Sequence, residues 1–150
     1  MSDRRYVEDV EVGGELGPDL KDTSRARLVA YAGATLDDYL IHLDREFARG
    51  FGLPDVIVQG PLKSAYLGQL ARDWVGEGGA LRELEVQYRG IDVALAPLTA
   101  RGVVTRKLVE RDEQLVECEI WLESSDGQRN THGRALIALP SRAVPGPVRP

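Results

Sequence analysis

Pro61-Leu62-Lys63-Ser64-Ala65-Tyr66-Leu67-Gly68-Gln69-Leu70-Ala71-Arg72-Asp73-Trp74-Val75 is followed, after Gly76, Gly78 and Gly79, by Glu83-Leu84-Glu85-Val86-Gln87-Tyr88-Arg89. Between these stretches the hydrophobic period changes from helical to two. In the first, Leu62, Ala65, Tyr66, Gln69, Leu70 and Trp74 recur at spacings of three and four, which predicts one helix face. Leu67 and Ala71 lie beside that stripe, so the helix is expected to be well buried. Pro61 suits a first helical position, where its missing N–H would be an orphan anyway, and Gly76 stops the helix. In the second stretch Leu84, Val86 and Tyr88 alternate with charged and polar residues, the pattern of a half-buried strand. Further strands are predicted over 98–109, over 116–122 with Val116, Cys118, Ile120 and Leu122 inward, and over 133–139. Asp126-Gly127 supplies a turn between the last two. Four strands in meander order after one buried helix predict an α+β fold with an antiparallel sheet wrapped on that helix. No helices separate the later strands, which disfavours a parallel α/β sheet.

The segment before the helix is less regular. Residues 6–21 carry the turn signals Gly13-Gly14 and Gly17-Pro18 and predict a short strand entering a loop. Asp22, Thr23 and Ser24 are N-cap types. They precede a short helix through Leu28, Val29, Tyr31 and Ala32, expected to end at Gly33. A helical turn is expected over 44–49, and Val56-Ile57-Val58 forms a short apolar run. Residues 1–142 are expected to form a single domain. The Pro- and Gly-rich end, 143–150, is expected to be a flexible tail.

The chain has 150 residues, 43% of them hydrophobic, enough for one domain with a core. Its formal charge is −5, a poor basis for binding nucleic acid, which depends on neutralising phosphates. No apolar run reaches the ~20 residues that span a bilayer, and the start shows no secretory signal. One cysteine, Cys118, excludes an internal disulfide, and two histidines leave little for a metal site. These features predict a soluble cytoplasmic domain without a histidine- or cysteine-rich metal site. Cys118 alternates with core positions and is expected to be an inert buried thiol. His132 is expected at a strand surface or interface, and Trp74 and Trp121 in packing.

The residues with chemical potential lie over 31–62. Asp37 and His42 are five apart, about 140° around a regular helix, so they can share a target only from an irregular loop. A carboxylate and an imidazole aimed at one water are the minimum for general acid–base work. Val56-Ile57-Val58-Gln59-Gly60-Pro61-Leu62 leads an apolar run into the buried helix. Free N–H groups at a helix start can hold an oxygen that gains negative charge, and Gly60 has no side chain to block approach. Taken alone, each also reads as an ordinary solvated loop or helix start.

Asp37-x-x-x-x-His42, then Asp44, Ala48 and Gly52, then apolar-x-Gly60-x-Leu62 resemble the MaoC-like hydratase/dehydratase family, the R-specific enoyl-CoA hydratases and 3-hydroxyacyl dehydratases. The resemblance covers roughly residues 6–140 and is most specific over 31–62. It implies a hot-dog fold: a long central helix wrapped by an antiparallel sheet, usually dimeric. It further implies that Asp37 and His42 activate a water. Hydroxide would go to C3 of a trans-2-enoyl thioester and a proton to C2, or the reverse, while the Gly60 N–H takes the thioester oxygen. The implied substrate is acyl-CoA or acyl-ACP, with no separate cofactor, and the expected assembly is a homodimer or a pair with a second hot-dog subunit. Arg89, Arg101 and Arg106 are candidates for the CoA phosphates.

The sequence departs from the family pattern Gly-Asp-x-Asn-Pro-aliphatic-His. Leu36, Tyr39 and Leu40 replace its glycine, asparagine and proline, and Gln59 replaces the histidine before the glycine. Such changes, and Asp73-Trp74-Val75-Gly76, also resemble subunits that act on bulky acyl-CoAs beside a partner chain. An alternative is therefore a non-catalytic or partner-dependent subunit. A hot-dog thioesterase is disfavoured, because those usually lack a histidine paired with the carboxylate at this spacing.

Overall fold

A computed structural model of the chain describes residues 4–144 and 148. Most of the expected tail lies outside them. Five antiparallel strands form one sheet: β1 (Glu15–Lys21), β2 (Ala80–Tyr88), β3 (Leu98–Glu110), β4 (Glu113–Glu123) and β5 (Thr131–Leu139). Among the described residues three α-helices accompany it: α1 (Arg25–Thr35), α2 (Arg45–Gly50) and α3 (Gly60–Val75).

Helix α3 starts and stops where Pro61 and Gly76 predict, and Gly76 takes a positive φ of 71°. Its buried face is Leu62, Lys63, Tyr66, Leu67, Leu70, Ala71 and Val75. This face is rotated from the expected stripe and centres on Leu67 and Ala71, both fully buried. Ala65 and Gln69 are exposed. Gln69 belongs to the rim, where its Oε1 accepts from Lys21 Nζ at 3.1 Å. The buried face packs in one core with Leu16, Ala100, Val104, Val116, Cys118, Ile120, Leu122, Ala135, Ile137 and Leu139. The strand residues expected inward on β4 are therefore all in the core. Burying a leucine such as Leu67 stabilises by about 2–3 kcal/mol.

The strand order is β1-β3-β4-β5-β2. Strands β3, β4 and β5 form the expected meander. Strand β2 instead pairs with β5, from Ala80 opposite Ala138 to Tyr88 opposite Thr131. The chain then crosses through residues 89–97 to reach β3. This crossover is held against the apolar run before α3: Val58 N–H donates to Asp92 O at 2.9 Å and Ala94 N–H to Val56 O at 2.9 Å.

Two local expectations are corrected, and one turn has no counterpart among them. Gly17-Pro18 is not a turn but an irregularity inside edge strand β1, a position where a residue without an N–H is tolerated. Gly17 has φ +81°, and a methyl group there would lie 2.6 Å from Ala100 O. Helix α1 runs through Gly33 and ends at Leu36, which takes the left-handed conformation with φ 59°. The β3–β4 hairpin turns at Arg111 and Asp112, both with positive φ, as a primed turn requires. Neither is glycine, so the turn carries no sequence signal. The N-cap of α1 is Ser24, whose Oγ accepts from Arg27 N–H, as expected.

On the outer face of the sheet, Arg134 bridges Glu83, Glu85 and Glu117, and Arg106 forks onto Glu117 with two bonds of 3.1 Å. The Arg106 bonds, with the Arg134 bonds beside them, hold the Glu117 carboxyl below its usual range, and Arg134 does the same to Glu85. Groups whose folded pKa is depressed stabilise above the unfolded pKa, and that stability is lost as pH falls through the folded value. Denaturation midpoints should therefore drop as pH falls below about 4.5, and Arg134→Met should flatten that acid limb while leaving activity unchanged. Equal limbs in the two proteins would show that this ladder is energetically idle.

Candidate active site

The connection from α1 to α2 carries Asp37 and His42. Leu36 in the left-handed conformation turns the chain out of α1. Leu40–His42 then form one 3-10 turn, and Asp44 caps α2 by accepting from Phe47 N–H at 2.9 Å. The connection is thus irregular, as a shared target for Asp37 and His42 requires.

His42 is buried, 9% exposed. Its Nδ1 lies 2.8 Å from Ile57 O. A carbonyl oxygen can only accept, so Nδ1 carries a hydrogen, and in the neutral ring Nε2 is the nitrogen with the lone pair. The bond spans fifteen residues and is reinforced by Ile57 N–H donating to Ile41 O at 3.1 Å. The Tyr39 ring meets the imidazole edge-on, with centroids 6.2 Å apart. Phe47 and Phe51 continue this aromatic row.

Asp37 is half-buried and takes no hydrogen bond or ion pair among the described residues. It lies within electrostatic reach of Tyr31. Burial raises the Tyr31 hydroxyl pKa, and the charges of Asp37 and Tyr88 push it the same way.

Gly60 is the first residue of α3. A methyl group added there would sit 3.3 Å from Cζ of Tyr88, so the tyrosine ring lies over this glycine. The Tyr88 hydroxyl bonds Ser64 Oγ. Asp37, Tyr31, Tyr88 and Gly60 are thereby linked in one series, and His42 is tied to Ile57, three residues before Gly60 in the chain. Tyr31, Tyr88 and Ser64 were not predicted as site residues. Gln59 is fully buried and its Nε2 donates to Leu28 O at 2.9 Å, tying α3 to α1. Its Oε1 has no partner among the described residues.

The other candidates fall elsewhere. Arg106 is engaged by Glu117 and Arg101 faces Glu123 at 3.9 Å. Arg89 is exposed at the end of β2, with Nη2 donating to Gln87 Oε1 at 3.3 Å. His132 bonds Arg129 O through Nε2 at 2.8 Å. Cys118 is fully buried, and burial pushes its thiol up to about 12, so it is no thiolate nucleophile. Trp74 packs against the core under the Arg5 guanidinium, and Trp121 is buried beneath Arg129. Among the described residues no three His, Cys, Asp or Glu side chains could hold a metal ion. Among the described residues no helix is long and apolar enough to cross a membrane.

A buried helix wrapped by a five-stranded antiparallel sheet, with solved structures of the same shape, defines the hot-dog fold. One such structure is an (R)-hydratase from A. caviae involved in PHA biosynthesis, with TM-score 0.77 and 24% identity over 89% of this chain and 100% of that one. The unliganded R-hydratase PhaJ1 from Pseudomonas aeruginosa gives 0.79 and 20% over 95% and 92%. The ChsH1-ChsH2 complex from Mycobacterium tuberculosis gives 0.76 and 19% over 87% and 99%. A search of curated protein sequences gives no match. Residues 10–121 match the model of the MaoC like domain, and the chain belongs to that family of hydratases and dehydratases.

Proposed function

We propose that this chain is a hydro-lyase for acyl thioesters, adding water to a trans-2-enoyl-CoA or removing it from a 3-hydroxyacyl-CoA or 3-hydroxyacyl-ACP. The observation that carries this reading is the buried His42, fixed with its proton on Nδ1 and a free Nε2, in one irregular connection with the uncommitted Asp37. In the hydration direction, the pair holds one water. Nε2 takes a water proton as the oxygen bonds to C3, and Asp37 orients that water. The C2–C3 double-bond electrons pass through C2 to the thioester oxygen, which the free N–H at Gly60 stabilises. A proton returned from the same pair to C2 completes the addition. The reaction needs only acid–base groups, so no metal or redox cofactor is invoked. A cytoplasmic setting suits such a substrate.

We also propose that the chain works as a homodimer. Strand β2 is an edge of the sheet, and Tyr88 and Ile91 at its end are half exposed. Such an edge invites pairing. A second reading shares this observation: the edge pairs with a different hot-dog chain. Structural neighbours include two complexes of unlike chains, ChsH1-ChsH2 and HadBC. The test is hydration of trans-2-enoyl-CoAs, from crotonyl to long and polycyclic acyl groups, by the purified chain alone, with sedimentation of the same sample. Turnover by a dimer is expected. A folded chain inactive on every substrate would favour the partner-dependent subunit.

A further inference from the structure

Lys63 is the unexpected member of the buried face of α3. Its side chain is 3% exposed and that of Asp92 4%, and Nζ lies 2.9 Å from Asp92 Oδ2. Lys63 Nζ also donates to Gly90 O at 3.2 Å. Asn130, just before β5, donates through Nδ2 to Asp92 Oδ1 at 3.1 Å and to Ile91 O at 3.0 Å. Two side chains, Lys63 from α3 and Asn130 from before β5, thus fix the crossover at Gly90, Ile91 and Asp92. The main chain of Asp92 then accepts from Val58 N–H, beside Ile57, whose carbonyl holds His42.

A buried ion pair is a poor stabilising device. Desolvation offsets the attraction, and apolar residues of similar volume commonly do as well or better. What such a pair does provide is one geometry, because breaking it leaves an uncompensated charge. The geometry fixed here is that of residues 90–94, and residues 56–58 are bonded to them at two points. We infer that Lys63, Asp92 and Asn130 are positioning residues for His42: they set the Ile57 carbonyl, and through it the tautomer and aim of the imidazole. None of them is required to touch substrate. The inference rests on the proposed role of His42 for its kinetic consequence, but not for its structural one.

The test is the double variant Lys63→Met/Asp92→Asn. It removes both charges together and keeps an acceptor for Asn130. The chain has only two histidines, His42 and His132, so the ring 15N spectrum assigns readily. In the wild type, at a pH where the ring is neutral, His42 should show the Nδ1–H tautomer alone. In the folded variant that signal should give way to a mixture of tautomers. Enoyl-thioester kcat should fall about 10- to 100-fold, the scale of a misplacement near 1 Å, with KM far less affected. A folded variant with wild-type ring signals and kcat would overturn the inference. If the variant does not fold, amide exchange in the wild type decides. Val58 and Ala94 N–H must be protected like core strands, and exchange at loop rates would overturn it. If the wild type hydrates no thioester, the ring signals alone decide, and the failure belongs to the functional reading.

Discussion

His42→Ala should lower kcat for enoyl-thioester hydration by about 10²–10⁴-fold, the usual worth of a positioned general base. The same substitution should also cost stability. It leaves Ile57 O buried without its donor, at about 1–3 kcal/mol, so the loss of rate must be measured on protein shown to be folded. Asp37→Asn separates the two effects. Asp37 is half-buried and holds no partner among the described residues, so its replacement should move stability by no more than about 0.5 kcal/mol. An amide lacks the charge that holds and orients the water against Nε2, and activity should fall toward that of His42→Ala. Steady-state hydration with circular dichroism on the same samples checks both. Full activity in Asp37→Asn would remove the carboxylate from the reaction.

Leu67→Ala should destabilise by about 3–5 kcal/mol, a large share of the 5–15 kcal/mol that holds an ordinary domain together. Leu67 is fully buried in the middle of α3, between the sheet and the segments before it. With the sheet hydrogen-bonded from β1 to β2, the cavity has little room to collapse. Ala65→Ser, two residues away on the exposed face, should change stability by less than about 0.5 kcal/mol. Urea midpoints at constant m report both. Similar costs at the two positions would mean that the buried face is not the one described.

That contrast marks where the sequence was readable. The limits of α3 were legible because Pro61 and Gly76 act locally on the backbone. The inward positions of β4 were legible because alternation is a property of one strand. The facing of α3 was not, since Lys63 and Gln69 each carry long apolar stems and only their partners, Asp92 and Lys21, assign one to the interior and the other to the rim. A lysine spaced four and eight before Leu67 and Ala71 was the available signal. The placement of β2 beside β5 depends on a crossover that leaves no local trace. Asp37, His42 and Gly60 are singled out through the family resemblance their motifs carry, whereas the bond of His42 Nδ1 is not legible in the sequence, because its partner is a backbone carbonyl fifteen residues on. Tyr88 looked like one more strand residue until its ring was seen over Gly60.

The two halves of the site are attached to the fold in unlike ways. His42 is moored to Ile57 by a buried bond, whereas Asp37 follows directly from the left-handed Leu36 at the end of α1. Leu36, Tyr39 and Leu40 lie between or beside these anchors and bear much of their side-chain surface to solvent. Changes there reshape what lies next to the imidazole without unmooring it. Under the proposed function, Leu36, Tyr39 and Leu40 are the positions at which substitution alters the surroundings of a substrate while the bond from His42 to the main-chain carbonyl of Ile57 is kept.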